Sequence, residues 1–369
     1  MTYKSVPLSV VLPVYNAGIF LRPALESIQN QTYADFECLL CDASSDGSSN
    51  FLADFCRQDP RFVLLREGKS SLGQTLARGV ARASAKLVAR MDADDIALPQ
   101  RFAVQVDAMR RQPELILLGS AFQYVDKNGN LGRVVTLPSW PSLAEALLWG
   151  CPISHPSVMF RREAVLKAGN YRPFFPRAED YDLWLRMLPQ GRMDNLSEVL
   201  LQYRMHDHNA VSTQALGTRN FAVIAQMLYL IDSQLGAGAP HTEPTRDVAS
   251  LVTRLGADAS LHVFARMLSC SAHLIGDVAE DAEGAVWLKK MKSALPDTEL
   301  EKALAIYHLR CCRRYVAKDV CRGLRHLATS CRYDLKTVIA MCCIFVKGML
   351  QKNWANHVAI SGNVRNAGD

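Results

Sequence analysis

The sequence predicts an α/β protein with a doubly wound sheet, followed by an all-helical C-terminal region. Apolar runs typical of strands covered on both faces occur at residues 8–14, 36–41, 62–65 and 86–91. Amphipathic helical patterns at 20–30, 49–57 and 72–83 separate these runs, as in a parallel sheet with crossover helices. From Phe221 onward the apolar residues recur only at helical spacing, which predicts the helical region.

The alternation of strands and helices becomes looser after residue 99, and the chain is long enough for two domains. We expect domains at residues 1–215 and 216–369, with the Gly- and Pro-containing stretch 233–244 as the clearest linker pattern. Between residues 100 and 204 the patterns predict helices at 100–111, 163–168 and 178–186, strands at 115–125, 157–160 and 198–204, and a hairpin-like turn at 126–130.

The composition is that of a globular protein, with 369 residues, 49% hydrophobic and 21% charged. Residues 301–369 carry 12 Lys and Arg against 4 Asp and Glu, so the net charge of +6 comes from the end of the chain. Eleven irregularly spaced cysteines and the lack of a secretory signal pattern predict reduced thiols in a cytoplasmic protein. No apolar run approaches the ~20 residues of a membrane-spanning helix.

The basic tail at residues 304–350 alternates apolar and basic residues, and two interpretations of it remain open. In one, its helices bind peripherally to the anionic inner face of the cytoplasmic membrane. In the other, they form an amphipathic bundle with a solvated basic face. Nucleic-acid binding is not expected, because no recognition motif is present.

Three polar segments follow predicted strands, and in parallel sheets the carboxyl ends of strands form the ligand-binding edge. They are residues 15–18, 42–48 and 92–95. The last holds Asp92, Asp94 and Asp95, whose mutual repulsion a bound magnesium or manganese ion would relieve. The alternative is a solvated turn in which Asp95 caps the helix that begins near Pro99.

Six motifs occur in a fixed order between residues 5 and 215: V-V-L-P-V-Y-N-A-G, D-A-S-S-D-G-S, A-R-M-D-A-D-D, H-P-S-V-M-F-R, A-E-D-Y-D-L-W-L-R and Y-R-M-H. This series resembles family 2 glycosyltransferases of the GT-A fold, a Rossmann-like mixed sheet. The resemblance implies sugar transfer with inversion from a nucleotide-sugar, often a UDP-sugar. The implied acceptor is a hydroxyl of a glycan or lipid-linked acceptor, often in polysaccharide biosynthesis.

The resemblance also implies a Mn²⁺ or Mg²⁺ cofactor and the residues that bind it. Asp94 would bind the cation that bridges the two phosphates of the donor, and Asp92 would bind the same cation or the ribose. His206 matches the downstream histidine that reaches the metal in many enzymes of this fold. A solvated loop histidine is the alternative for His206, because His208 lies two residues away.

The remaining site residues follow from the same resemblance. Asp180 matches the catalytic base, and Tyr15 and Asp42 match positions that line the nucleotide pocket. Arg90 would contact a donor phosphate or simply balance the neighbouring acids. The segment around Asp42 reads Cys-Asp-Ala-Ser where the family often has Asp-Asp-Gly-Ser, and Arg78 stands where an asparagine is frequent before the glycine.

The chemistry itself requires these residue types. An acceptor alcohol needs a carboxylate within hydrogen-bond reach to take its proton, and a leaving diphosphate needs positive charge. The alternative for Asp180 is an N-cap, with Glu179 as a second candidate for that role. His155 is either structural or acceptor-binding, and we expect Arg186 to pair with Asp182.

Two other functions compete with glycosyl transfer. A nucleotidyltransferase that makes nucleotide-sugars would need a glycine-rich loop with Arg or Lys after the first strand, and residues 15–18 lack it. A non-catalytic partner subunit with the same fold is disfavoured by the presence of Asp92, Asp94 and Asp180.

Overall fold

The computed structural model describes residues 6–148, 150–206, 222, 225, 228–229, 231–233 and 241–244. The described residues belong to the first of the two units into which the chain divides, Met1–Val248 and Ala249–Asp369. The helical C-terminal domain, most of the linker pattern at 233–244 and the basic tail lie outside the described residues and stay predictions. Within the described ranges, no helix has the length and apolar character needed to cross a bilayer.

The alternation predicted for the first ninety residues is confirmed. The strands of the described part are β1 (Leu8–Val14), β2 (Phe36–Asp42), β3 (Phe62–Arg66), β4 (Leu87–Arg90), β5 (Ile96–Ala97), β6 (Leu115–Asp126), β7 (Leu131–Val135), β8 (Met159–Arg161) and β9 (Arg192–Met205). The helices there are α1 (Leu21–Gln29), α2 (Ser48–Gln58), α3 (Leu72–Arg82), α4 (Arg101–Arg111), α5 (Ser142–Leu147), α6 (Arg162–Lys167) and α7 (Glu179–Met187).

The sheet is mixed, with the order β3-β2-β1-β4-β8-β6-β9-β5 and β7 paired to β6. Strands β1 to β4 are mutually parallel, β8 is antiparallel to both β4 and β6, and β6 is parallel to β9. The ends of β1, β2, β4, β6 and β9 therefore meet the start of β8 at one edge, which we call the carboxyl edge. This topology brings loops that are distant in sequence to the same place.

Strand β1 is buried along its whole length because helices cover both faces of the sheet. Val10 and Leu12 join one hydrophobic cluster with Leu25 of α1 and Phe102 of α4. On the other face α3 approaches closely at Gly79, where an added Cβ would lie 2.5 Å from Val11 Cγ1. The small residue is required there because any side chain would push the helix off the sheet.

The structure differs from the sequence expectations after residue 91. Strands β5 and β7 and helix α5 were not predicted, because β5 has two residues, α5 has six and most of β7 is exposed. Residues 155–157 form a single 3₁₀ turn, and the following strand begins at Met159. The suggestion that Asp95 caps the next helix is wrong, because the N-cap of α4 is Gln100 and Asp95 bonds to β9 instead.

Candidate active site

Three carboxylates stand together directly after β4, at the carboxyl edge. The ligand oxygens of Asp92, Asp94 and Asp95 lie within 4.8 Å of one another. Asp95 Oδ1 accepts the backbone N–H of Arg204 at 2.8 Å, while its buried Oδ2 has no hydrogen-bond partner among the described residues. Burial, with the charges of Asp92 and Asp94, raises the pKa of Asp95 well above its usual value. A cation placed among these oxygens would remove that penalty.

His206, directly after β9, supplies a nitrogen to the same cluster. Its Nε2 lies 2.9 Å from Asp94 Oδ2, and its ring stacks on Phe20 with centroids 4.8 Å apart. Arg204 Nε donates to the carbonyl oxygen of Asp94, so the end of β9 is tied to the loop after β4. Carboxylate oxygens with one imidazole are ligands that suit Mn²⁺ or Mg²⁺, and the residues fit such an ion.

Arg90 lies beneath the acidic cluster, with an exposed fraction of 2%. Its two terminal nitrogens contact the two carboxylate oxygens of Asp92 at 2.7 and 2.6 Å, in the fork geometry that suits this pair. Burial raises the pKa of Asp92, and the charge of Arg90 opposes that rise. These contacts agree with the alternative in which Arg90 balances the charge of the neighbouring acids. A contact between Arg90 and a donor phosphate stays a prediction.

Asp180 lies in the first turn of α7. Its Oδ1 accepts the N–H of Tyr181 at 2.8 Å, and its Oδ2 faces the thiol of Cys151 at 3.8 Å. The N-cap of α7 is Ala178, which has no side-chain cap, so neither Asp180 nor Glu179 has the capping role suggested as an alternative. Burial raises the pKa of Asp180, and the charge of Asp180 contributes to the raised pKa of Asp92.

Glu179 is a second acid beside Asp180, and it is almost fully buried. Its Oε2 has no partner in the described part of the chain. Burial, followed by the charge of Asp180, raises the pKa of Glu179 to about 7. Two adjacent acids with different environments favour one neutral and one ionised group near neutral pH.

A buried ion-pair network anchors the helix that carries Asp180. Asp182 is bonded to both Arg172 and Arg186, and Arg186 Nη2 lies 2.6 Å from Asp182 Oδ2. The predicted pairing of Arg186 with Asp182 is therefore confirmed. Trp184 is fully buried on the same helix, as expected for a core residue. Arg186 also donates to the carbonyls of Ala168 and Asn170, so the network ties α7 to the segment that follows α6.

The first two loops of the carboxyl edge hold the residues expected to bind the nucleotide. Tyr15 is 71% exposed, and the Asn16 side-chain oxygen accepts the N–H of Ser45 at 2.8 Å. Asp42 is buried; its Oδ1 accepts the N–H of Ser44, and the Ser49 hydroxyl donates to its Oδ2. The loop after β1 is thus bonded to the loop after β2, with one aromatic ring left exposed at the rim.

The structure brings all seven sequence-predicted site residues to this edge: Tyr15, Asp42, Arg90, Asp92, Asp94, Asp180 and His206. It also adds Cys151 and Tyr171, which the sequence analysis did not select. Cys151 gave no sequence signal, since one cysteine among eleven has no motif. Tyr171 is buried, and its hydroxyl lies 3.0 Å from His155 Nε2.

Residues 9–169 match the model of the family "Glycosyl transferase family 2". The chain is 32% identical over 205 residues to the O-antigen biosynthesis glycosyltransferase WbnJ of Escherichia coli, covering 54% of this chain and 80% of that protein. A second Escherichia coli relative, UDP-Gal:alpha-D-GlcNAc-diphosphoundecaprenol beta-1,3-galactosyltransferase, is 29% identical over 211 residues, covering 55% and 75% respectively.

The structure is similar to residues 1–349 of S. aureus TarS, solved in complex with UDP-GlcNAc, with a TM-score of 0.58. That match covers 88% of this chain and 90% of the TarS chain at 14% identity, so it shows similarity of fold only. The fold is the GT-A fold expected from the sequence. The chain belongs to glycosyl transferase family 2. It is a glycosyltransferase, as the sequence motifs predict.

Proposed function

We propose that this glycosyltransferase is metal-dependent and inverting, and that it moves a sugar from a UDP-sugar to a hydroxyl of a glycan or lipid-linked acceptor. The cell-surface polysaccharide role is part of the proposal. One observation carries it: the cluster of Asp92, Asp94 and Asp95, with His206 beside it, lies at the same carboxyl edge as the carboxylate of Asp180, which faces the segment leading into β8. The names of the two relatives, one for O-antigen and one for a UDP-Gal donor and a lipid-linked acceptor, support the choice of substrates.

Asp94, with Asp92, Asp95 and His206, would hold a Mn²⁺ or Mg²⁺ ion under the donor diphosphate. A cation bound there stabilises the negative charge that develops on the leaving group. Arg90 fixes the carboxylate of Asp92 from below, and Arg204 fixes the backbone of Asp94. These contacts hold the ligand atoms in place before the donor binds, which reduces the reorganisation that binding requires.

Asp180 would take the proton of the acceptor hydroxyl as that oxygen attacks the anomeric carbon. The new bond joins the acceptor oxygen to the sugar, the bond to the diphosphate breaks, and the proton goes to the carboxylate. Because the acceptor oxygen attacks the face opposite the leaving diphosphate, the configuration at the anomeric carbon is inverted. A hydrolase would instead place two carboxylates on either side of the sugar.

At the rim, Tyr15 would stack on the base and Asp42 would contact it. Cys41, one of the departures from the family pattern, is fully buried and faces Gly79 of α3, 3.0 Å from the position of an added Cβ. The position at which the family often has its first aspartate therefore faces helix α3 in this protein. This placement leaves the proposed nucleotide contacts of Tyr15 and Asp42 intact.

The experiment is a donor screen with purified full-length protein. Heat released on mixing with UDP-, GDP- and dTDP-sugars, with and without MnCl₂, measures donor affinity, and release of free nucleotide in the presence of acceptor mixtures measures turnover. We expect tight binding of one UDP-sugar that is lost in EDTA. Binding without turnover for any acceptor fraction would instead favour the non-catalytic partner, and metal-independent binding would contradict the role of the cluster.

A further inference from the structure

The environment of Asp180 on the side away from the metal-fitting cluster points to an additional positioning residue. Asp180 Oδ1 is already engaged by the N–H of Tyr181. Asp180 Oδ2 faces the segment that precedes β8, with His155 Nδ1 at 4.0 Å and Cys151 Sγ at 3.8 Å. One oxygen of the carboxylate therefore has backbone support, and the other depends on side chains of this segment.

His155 is largely buried beside Asp180, with 10% of its side chain exposed. Its ring centroid lies 5.8 Å from that of Trp184, at an interplanar angle of 80°, and 5.7 Å from that of Tyr171. Its Nε2 is 3.0 Å from the hydroxyl of Tyr171. The two ring nitrogens therefore have different neighbours: Nε2 has the phenol and Nδ1 has the carboxylate.

The protonation of the ring follows from these neighbours. Burial, and then the charge of Arg90, lowers the pKa of His155 well below its usual value, so the imidazole is neutral and carries one proton. A lone pair at Nδ1 would repel the ionised carboxylate of Asp180. A proton on Nδ1, with the Tyr171 hydroxyl donating to Nε2, is the arrangement that makes both contacts favourable.

We propose that His155, with its tautomer fixed by Tyr171, is a positioning residue that directs Nδ1–H at Asp180 Oδ2 and keeps that carboxylate oriented for the acceptor. The inference rests on the proposed role of Asp180 as the base. The 4.0 Å separation is longer than a hydrogen bond, and contacts of this kind often shorten only when substrate fills the site. Cys151 offers the same oxygen a second, weaker donor through its thiol.

The test uses two substitutions that keep different halves of the imidazole. In His155→Asn the amide nitrogen can occupy the place of Nδ1, and in His155→Gln it can occupy the place of Nε2. If His155 acts on Asp180, His155→Asn retains kcat within about tenfold, whereas His155→Gln loses about 100-fold, the range expected for a group that supports a general base. The donor Kd and the melting temperature are measured for both, and we expect donor Kd to change little.

A purely structural role predicts the opposite order. If the contact of Nε2 with Tyr171 is what matters, His155→Gln will be the more active variant, and the losses will follow the melting temperature. That result overturns the inference, and so does equal activity of the two variants. His155→Phe, which keeps the aromatic packing without either nitrogen, should match the low activity of His155→Gln.

Tyr171→Phe gives an independent measurement, because it removes one hydroxyl and leaves the ring packing in place. We expect kcat to fall about 3- to 10-fold in the wild-type background and to be unaffected in the His155→Asn background, since residues that act through one another are not additive. A Tyr171→Phe variant with the wild-type kcat contradicts the tautomer argument. An Asp180→Asn variant that retains full turnover would contradict the role of Asp180 as the base. If Asp180→Asn is inactive but His155→Gln is more active than His155→Asn, only the role proposed here for His155 is contradicted.

Discussion

His206 Nε2 lies 2.9 Å from Asp94 Oδ2, although 112 positions separate the two residues in the chain. The contact joins the end of β9 to the loop after β4 and places an imidazole beside the cluster of Asp92, Asp94 and Asp95. A divalent ion bound there would link both ends of this long segment. A ligand that binds only the folded state stabilises it by an amount that grows with the logarithm of the ligand concentration relative to its Kd.

The first prediction concerns this cation site. At a Mn²⁺ concentration of 100 times Kd, the free energy of unfolding of the wild-type protein should rise by about 3 kcal/mol, seen as a higher melting temperature by scanning fluorimetry. Asp94→Asn should lose most of that increase. The matched control is Asp107→Asn, which changes an exposed carboxylate paired with Arg111 on α4. If Asp94→Asn and the control respond to Mn²⁺ equally, Asp94 is not a ligand.

The second prediction concerns the proposed base. Asp180→Asn keeps an oxygen for the N–H of Tyr181 but cannot accept the acceptor proton. We expect kcat to fall by about 10²- to 10⁴-fold while donor affinity stays within about twofold. Steady-state release of UDP and calorimetric donor binding measure the two quantities. Turnover at the wild-type rate would exclude Asp180 as the base.

The third prediction uses the titration of Glu179, whose folded-state pKa of about 7 exceeds its ordinary value of 4.5. The folded protein therefore binds this proton more tightly than the unfolded chain does. The resulting stability is complete below the unfolded value and is lost as the pH rises through about 7. Relative to wild type, Glu179→Gln should gain on the order of 3 kcal/mol between pH 4.5 and pH 8, measured by urea unfolding at several pH values. A stability difference that does not depend on pH would contradict the assignment.

The fourth prediction concerns the anchor of α7. Asp182 is bonded to Arg172 and Arg186 in the interior, and removing it leaves buried cations without their partner. Asp182→Ala should lower the free energy of unfolding by about 3–5 kcal/mol. Asp107→Ala breaks an exposed pair at helical spacing and should cost less than about 0.5 kcal/mol. Equal costs for the two variants in urea unfolding would mean that the buried network does not stabilise the helix.

The fifth prediction concerns the close approach of α3 to the sheet. An added methyl at Gly79 would lie 2.5 Å from Val11 Cγ1 and 3.0 Å from Cys41 Sγ, so Gly79→Ala should cost about 1–3 kcal/mol through overpacking. An added Cβ at Gly68 meets no atom within 4 Å, which makes Gly68→Ala the matched control. Thermal unfolding of both variants provides the comparison, and a neutral Gly79→Ala would show that α3 moves away without penalty.

The first half of the fold follows from the sequence because its signals are local. Strands β1 to β4 are continuous apolar runs, and α1 to α3 carry apolar faces at helical spacing, so pattern and structure agree. Strand β7 gave no such signal, because most of its residues are exposed to solvent and its sequence has no buried apolar face. Strand β9 extends six residues further toward the N-terminus than the pattern at 198–204, through pairing with β6 that depends on tertiary contact.

In the candidate site, too, the residues predicted from the sequence are those in local motifs. Asp92, Asp94 and Asp180 stand in short motifs whose order along the chain is itself informative. The second oxygen of Asp95, the thiol of Cys151 and the hydroxyl of Tyr171 acquire their positions only from the packing of distant segments. From the sequence, His155 can be either a structural or an acceptor-binding residue, and only its neighbours in the folded structure distinguish these roles.

The reversed direction of β8 has a practical consequence. Because β8 runs against its neighbours, the segment between β6 and β8 leaves the carboxyl edge and returns to it, bringing Cys151 and His155 back beside Asp180. The loops after β1 and β2, with Tyr15 and Asp42, are separate from this excursion. If Tyr15 and Asp42 hold the donor as proposed, we expect chimeras that exchange only this segment between family members to keep their donor preference, and their acceptor preference shows whether the segment contacts the acceptor.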